Sequence, residues 1–327
     1  MTTFKEIRGT DILALSSDPA NPEIGQIWYN SSSGTLKGYV LANVNAWASG
    51  PVFPAVANSA NGFGTQSATT AFGGNGGTTA TRFFNGTAWS TPPATVALGT
   101  RYAASAGTPS AGLKFGGEPS SAPFYTNSTE AYNGTSWTTV NSMNTGRSFL
   151  GGCGIQTAAI SVCGQEAPSG ASSNKTELWN GTSWTNGNTY TNSYYGTFVS
   201  GTQTAAISSG GIPPTSSVSN LFNGTTWTAT SSINTARNMH GGAGTQTAAI
   251  IMGGLNASPT VINATELYNG STWTSNPTGL GTARRSVGAS GTQSLALYFG
   301  GGLPTADTDV TELWTGVALQ TKTITVS

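Results

Sequence analysis

Residues Asn133–Thr138 read NGTSWT, and Asn180–Thr185 spell the same six letters again. Near copies stand at Asn85–Ser90 (NGTAWS), Asn223–Thr228 (NGTTWT) and Asn269–Thr274 (NGSTWT), so the phrase returns every 43–48 residues. A second phrase keeps the same beat: GTQSATTAFGG (Gly64–Gly74), SAGLKFGG (Ser110–Gly117), IQTAAISVCG (Ile155–Gly164), GTQTAAISSGG (Gly201–Gly211), GTQTAAIIMGG (Gly244–Gly254) and GTQSLALYFGG (Gly291–Gly301). Each is a short apolar run closed by a glycine pair, or by Cys163–Gly164 in the third copy. A small-residue segment such as RSFLGGCG (Arg147–Gly154) precedes it, and TEAYNG, TELWNG, SNLFNG, TELYNG or TELWTG follows. Such runs are too short and glycine-rich for helices, while their β-branched and aromatic content suits strands.

Each unit thus holds four strands: a (the Arg147 region in the third unit), b (QTAAI…GG), c (TELWN) and d (TSWT). Four short strands repeated at this period predict an all-β fold of four-stranded antiparallel blades, a β-propeller. No blade can bury both faces alone, so stacking around a ring is what covers them. A solenoid or tandem β-sandwiches are the alternatives. NGTS is the c–d turn, with Asn-Gly meeting the backbone demand of a tight hairpin. The aromatic before it (Phe84, Tyr132, Trp179, Phe222, Tyr268) is expected to face the Trp after it (Trp89, Trp137, Trp184, Trp227, Trp273). The same letters match a glycosylation sequon, but a turn accounts for every copy without a sugar.

Composition narrows the function. The chain has 327 residues, of which 7% are charged, with twelve basic and twelve acidic side chains; about a quarter is usual. Neutral Thr, Ser, Asn and Gly must carry solubility, and no long-range field exists to attract nucleic acid. No run of 18 apolar residues occurs and the N-terminus lacks a signal-peptide pattern, so a soluble protein without membrane insertion is expected. Cys153 and Cys163 are the only cysteines, and two packed free thiols are the expectation.

Four units carry an arginine at the start of strand a and a glutamate on strand c: Arg101 with Glu130, Arg147 with Glu177, Arg237 with Glu266, and Arg284 with Glu312. Their separations are 29, 30, 29 and 28 residues, and in one further unit both charges vanish together, to Ser193 and Asn220. The first unit departs, with Pro54 and Arg82. This joint behaviour predicts that each arginine reaches across strand b to its own blade's glutamate; two independently inherited positions is the alternative.

The glycine pair closing strand b, the aromatic on strand c and the Trp on strand d resemble the kelch repeat over roughly residues 50–316, although consensus kelch repeats carry more charge. The segment FKEIRGTDILALSSDPANPEIGQIWYNSSSGTLKGYV (Phe4–Val40) resembles the start of phage tail-fibre and other virion proteins, especially of marine bacteriophages. In those, a "GQIWYN…TLK.Y" hairpin precedes Thr/Gly-rich kelch-like repeats and a KTITVS-type end closes the chain, as Lys322–Ser327 does here. The resemblance implies an N-terminal virion-attachment segment over residues 1–43, contacting other virion proteins, and a six-bladed kelch-like propeller over 44–327, exposed on the particle. It allows a homotrimer, as fibres commonly are, although no heptad stalk is spelled. Two closures of the ring are open. The favoured one has AWASG (Ala46–Gly50) completing the blade begun by Arg284–Gly316; the other uses Leu319–Val326.

Catalytic chemistry is sparse. The lone histidine, His240, supports neither a metal site nor a triad, and galactose oxidase, which shares the kelch architecture, needs histidines this chain lacks. Glu118, Glu166, Asp307 and Asp309 fall in b–c loops, from which a glycosidase pair could be assembled, but no spacing points to one. Asp307 and Asp309 lack the further ligands of a calcium loop. No enzyme activity, cofactor or metal is expected.

The a–b and c–d turns, nearly uniform, share one face of such a fold, while the diverse b–c and d–a loops share the other. Diverse loops on a regular scaffold are where recognition usually sits. That marks Phe124, Tyr125, Asn127, Glu166, Tyr194, Tyr195 and Asn256 as candidate contacts, an aromatic and amide mixture suited to a neutral sugar. A phage adhesin binding a host-surface glycan or protein is the leading expectation. A purely structural virion component and a glycan-cleaving enzyme are the rivals.

Overall fold

A computed structural model describes residues 12–324. These carry strands and turns and no α-helix, and they divide into two compact units, one being Ala46–Thr315 and the other the segments before and after it. Residues 316–324 group with the N-terminal segment.

The larger unit is built of antiparallel sheets in a β-propeller-like architecture. Among the described residues five sheets have four strands in the order a, b, c, d. Sheet 1 comprises Ala60–Thr65, Ala68–Gly73, Thr81–Phe84 and Trp89–Ser90. Sheet 2 comprises Ala104–Thr108, Ala111–Phe115, Thr129–Tyr132 and Trp137–Val140, and sheet 3 Gly151–Ile155, Ala158–Val162, Thr176–Trp179 and Trp184–Asn186. Sheet 4 comprises Phe198–Thr202, Ala205–Ser209, Ser219–Phe222 and Trp227–Ala229, and sheet 5 Gly241–Gly244, Ala249–Met252, Thr265–Tyr268 and Trp273–Asn276. In sheet 6, Gly288–Gly291 and Leu295–Phe299 lead to the start of Thr311–Thr323, and the end of Thr35–Ser49 lies outermost. Trp47 therefore takes the place that a d-strand tryptophan holds elsewhere. It packs against Trp314 and Tyr298, with ring centroids 5.3 and 6.0 Å away.

The repeated letters do specific work in this frame. Each c–d aromatic stands directly opposite its Trp, as Tyr132 does Trp137 and Phe222 does Trp227. In the turn between them only the glycine takes a positive φ (+92° at Gly181). The asparagine acts through its side chain: Asn180 Oδ1 accepts the Thr182 and Ser183 N–H groups at 2.9 and 2.8 Å, replacing backbone partners that a tight loop lacks.

The other two signatures join one sheet to the one before it. Where the a–b turn carries Gln, its Nε2 donates to two backbone carbonyls of the preceding sheet: Gln156 to Gly112 and Tyr132, Gln203 to Ala159 and Trp179, Gln246 to Ala206 and Phe222, Gln293 to Ala249 and Tyr268. Gln66 of sheet 1 makes the same pair of bonds to Ala296 and Trp314 of sheet 6. Most d-strand tryptophans donate Nε1–H to a threonine at the start of the preceding sheet's strand c: Trp137 to Thr81, Trp184 to Thr129, Trp227 to Thr176, Trp47 to Thr265, and Trp89 to Thr311. Trp273 Nε1 and Ser219 Oγ, the corresponding pair, have no partner. The a strands lie side by side in the same order, with Gly288–Gly291 again against Ala60–Thr65.

Buried ion pairs tighten several of the sheets. Arg147, Arg237 and Arg284 approach Glu177, Glu266 and Glu312 at 3.0, 2.6 and 2.7 Å, and each pair is almost wholly buried. Every one of these glutamates also accepts two consecutive backbone N–H groups of the d–a loop, such as Asn234 and Thr235 on Glu266 at 2.6 and 3.1 Å. Every one of the arginines donates its other amino group to two backbone carbonyls, such as Gly253 and Ala264 for Arg237. Hydrogen bonding this dense, with Arg147 Nε alone among these guanidinium nitrogens left without a partner, is what makes a buried pair tolerable.

Two details correct the sequence expectation. The arginines do not begin strand a; Arg147–Ser148 forms a separate short ribbon with Gln165–Glu166, and strand a starts only at Gly151. The proposed Arg101–Glu130 pair does not form. Arg101 turns outward to Glu118 at 2.6 Å, and Lys114 on strand b takes its place beside Glu130 at 2.7 Å. A long cation directly across the strand leaves no room or need for a second one. In sheet 4, where both charges are missing, Asn220 Nδ2 donates to the buried Tyr190 hydroxyl at 2.9 Å. In sheet 1, Arg82 occupies the acidic position and its guanidinium lies over the Phe53 ring, 5.1 Å from the centroid.

Candidate functional site

Just before each strand a, one residue adopts the left-handed conformation: Ser59, Tyr102, Phe149, Gly196, Met239 and Ser286, with φ from +50° to +66°. Five of the six carry a side chain, which costs about 1 kcal/mol each in this region. What holds them there is a relay of backbone bonds. Phe149 N–H donates to Tyr102 C=O, Gly196 to Phe149, Met239 to Gly196, Ser286 to Met239, and Ser59 to Ser286, at 2.6–3.0 Å. The sixth link, from Tyr102 N–H to Ser59 C=O, is not made.

These six residues border a cavity of about 190 Å³ on the face that bears the b–c and d–a loops. Its floor adjoins a second space of about 120 Å³, bounded on the opposite side by Gly64, Gly107, Gly154, Gly201, Gly244 and Gly291 of the a–b turns. The larger cavity has a polar, uncharged lining: no Asp, Glu, Lys or Arg contributes to it. His240, the one ordinarily titratable imidazole there, has its pKa driven well below the usual histidine value by burial and by the charge of Arg237, so it is neutral.

The rim is lopsided. Tyr102 and Phe149 stack with centroids 3.6 Å apart, and Tyr195 stands edge-on to Phe149 at 5.7 Å. All three are half-buried. The Arg101 guanidinium lies over Tyr102, 5.3 Å from its centroid. Of the other rim residues Gly196, Ser286 and Ser59 are small, and Met239 lies opposite Tyr102 in the relay. An aromatic wall beside a cavity whose own lining carries no charged side chain suits a neutral ligand with both apolar and hydrogen-bonding surface.

The residues marked from sequence scatter around this centre. Tyr195 alone belongs to the aromatic wall. Phe124 is exposed at a loop tip (54%), and the Tyr125 hydroxyl lies beside Gly170. Asn127 Nδ2 donates to Met143 C=O, and Asn256 Oδ1 accepts from Ser258 and Thr260 within its own turn. Glu166 is bound by Lys175 at 2.8 Å and by the Ser173 hydroxyl. Partial burial would raise its pKa, but these two partners outweigh that and hold it below the usual value. Tyr194 is a correction: it is buried against Tyr190 in the core and presents no contact surface. Tyr102 and Phe149 are not among the sequence candidates; each follows its unit's arginine by one or two residues, in segments that the sequence reading gives to strand a.

Of the carboxylates in the larger unit, all but Asp309 have side-chain partners elsewhere. Glu130, Glu177, Glu266 and Glu312 are in the buried pairs, Glu118 holds Arg101, and Asp307 contacts Asn75. Among the described residues no cluster of three or more His, Cys, Asp or Glu could hold a metal. Cys153 and Cys163 are free thiols in the core, and burial pushes the Cys163 pKa up to about 12. No protein-family model matches the chain, and no curated protein matches it in sequence.

Proposed function

We propose that the chain is a binding module, a closed six-bladed kelch-like propeller that recognises a host-surface glycan or protein for a bacteriophage particle. The cyclic order of inter-sheet bonds supports the closed ring, since Gln66 and Trp89 of the first sheet bond the sixth as most other sheets bond their predecessors. The observation that carries the binding role is the uncharged cavity flanked by the Tyr102–Phe149–Tyr195 wall, on the same face as the variable loops. Its carboxylate-free lining favours recognition over glycan cleavage, which needs two carboxyl groups about 5–9 Å apart. The virion assignment rests on the resemblance of Phe4–Val40 and Lys322–Ser327 to phage structural proteins; of these, Phe4–Asp11 and Thr325–Ser327 lie outside the described residues. On this reading the N-terminal segment attaches to other virion proteins, and several copies on one particle multiply weak sites by about 10²–10⁴.

The test is retention of the purified chain on a panel of marine bacterial cells and on a glycan array. Binding to one cell type or glycan class, lost when the loop face is blocked, is the expected result. An absence of retention on every surface, with tight binding to other virion proteins, would replace the adhesin by a purely structural component.

A further inference from the structure

We propose that the cavity bordered by Ser59, Tyr102, Phe149, Gly196, Met239 and Ser286 takes one neutral sugar ring, either free or as the terminal residue of a glycan. This rests on the binding-module reading and names the ligand class and the place.

Three features converge. The first is charge: with no ionised side chain in the lining and His240 buried, an acidic or basic ligand would be desolvated without compensation. A neutral ligand avoids that cost. The second is the interrupted relay. Five of six rim residues spend their N–H on the neighbouring C=O, but Tyr102 N–H and Ser59 C=O are left unlinked at the junction of sheets 1 and 2. A donor and an acceptor at adjacent rim positions match a hydroxyl, which both donates and accepts. The third is the aromatic wall beside that opening, Tyr102 with Phe149, half-buried and bordering the cavity. The C–H surface of a pyranose packs on such a wall while its hydroxyls meet polar groups. A space of about 190 Å³ accommodates a single ring, not an extended chain.

The junction of sheets 1 and 2 differs in other ways that keep the opening in place. It lacks the Gln bridge, because Pro109 stands where the other units have Gln, and Thr70 Oγ1 instead donates to Pro109 C=O. On the cavity side Asn61 ties the two sheets, its Nδ2 donating to Ala103 C=O at 2.5 Å and its Oδ1 accepting from Ser105 at 2.7 Å. The opening is thus braced from below and is not a site of loose packing.

The experiment uses the full chain, free galactose, glucose, mannose and N-acetylglucosamine, and short oligosaccharides ending in each, read by saturation-transfer NMR. Two variants accompany it. Tyr102→Gly removes the wall but keeps the backbone, as Gly196 does at the equivalent place; Phe124→Ala alters an exposed outer loop. The expected result is binding of one of these sugars with a Kd of about 1 mM, weakened about tenfold or more by Tyr102→Gly and unchanged by Phe124→Ala. Signal from the free sugar and the capped oligosaccharide alike assigns the ligand to the terminal ring; signal from only the free sugar assigns it to a monosaccharide. No binding by any sugar, or binding indifferent to Tyr102→Gly in a protein of unchanged melting temperature, overturns the proposal. Cell retention that survives Tyr102→Gly but fails with Phe124→Ala would also overturn it and leave the adhesin reading intact. Sugar binding without retention on any cell would leave the cavity intact and remove the adhesin.

Discussion

Lys114 Nζ lies 2.7 Å from Glu130 Oε1 across adjacent strands of sheet 2, and neither side chain touches solvent. The lysine is the register partner of the glutamate on strand c, whereas sheets 3, 5 and 6 bring an arginine to their glutamates from before strand a. One carboxylate position therefore accepts two different sources of positive charge. Burial depresses the Lys114 pKa, and the Glu130 charge opposes that shift.

Replacing Lys114 by Met is expected to cost about 3–5 kcal/mol, because Glu130 then remains buried with only the Ala97 and Leu98 N–H groups as partners. Chemical denaturation of the variant beside the parent protein measures the loss. A loss below about 1 kcal/mol would mean that Glu130 finds another cation.

The uncharged solution in sheet 4 should be far less sensitive. Tyr190→Phe removes one hydrogen bond to Asn220 while keeping the packed ring, and a loss of about 0.5–1.5 kcal/mol is expected. Arg237→Met, which strands Glu266, should cost several times more. Thermal melts of the two variants side by side give the comparison.

Gln66→Ala and Gln203→Ala test whether the first and last sheets are joined as firmly as any neighbours. Each removes two bonds to backbone carbonyls of the preceding sheet, and each should cost about 1–3 kcal/mol. Equal losses are the expected outcome. A much smaller loss for Gln66→Ala would indicate that its junction opens in solution, which hydrogen exchange at Ala296 and Trp314 would show directly.

In the N-terminal unit, Asp18 accepts from Trp28 Nε1 at 3.1 Å, Asn30 Nδ2 at 2.7 Å and Lys37 Nζ at 2.9 Å. The bond from Lys37 above all, then those from Asn30 and Trp28, lowers its pKa to about 2. A carboxyl group with a depressed folded-state pKa contributes stability above its unfolded pKa and loses it as pH falls through the folded value. The Trp28 indole N–H resonance should accordingly hold steady down to about pH 4 and shift with a midpoint near 2. Asp18→Asn should abolish that titration.

Much of the repeat unit was legible because its markers answer to local physics. Glycine pairs, Asn-Gly turns and cross-strand aromatics state where a hairpin begins and ends, and they recur in phase. The Trp47 strand could be recognised for the same reason, by spelling alone. Lys114 was not legible as an ion-pair partner, since nothing in SAGLKFGG tells which way a strand b side chain points until the strand's register is known. The cavity wall was missed on similar grounds. Tyr102 and Phe149 sit in segments that read as ordinary strand starts, and their left-handed backbone is imposed by bonds to neighbouring sheets about 47 residues away, which no local pattern announces. Tyr194 and Tyr195 show the limit most simply: adjacent in sequence, one goes to the core and the other to the rim.

The Gln and Trp bridges always point backwards, from one sheet to its predecessor, and meet the same kinds of acceptor each time. A duplicated or deleted repeat would consequently bring its own connectors and find matching sockets waiting on either side. Copy number in this architecture can change by recombination in a single event without any new joint having to be invented, which gives a lineage a short route to a larger or smaller array of sheets.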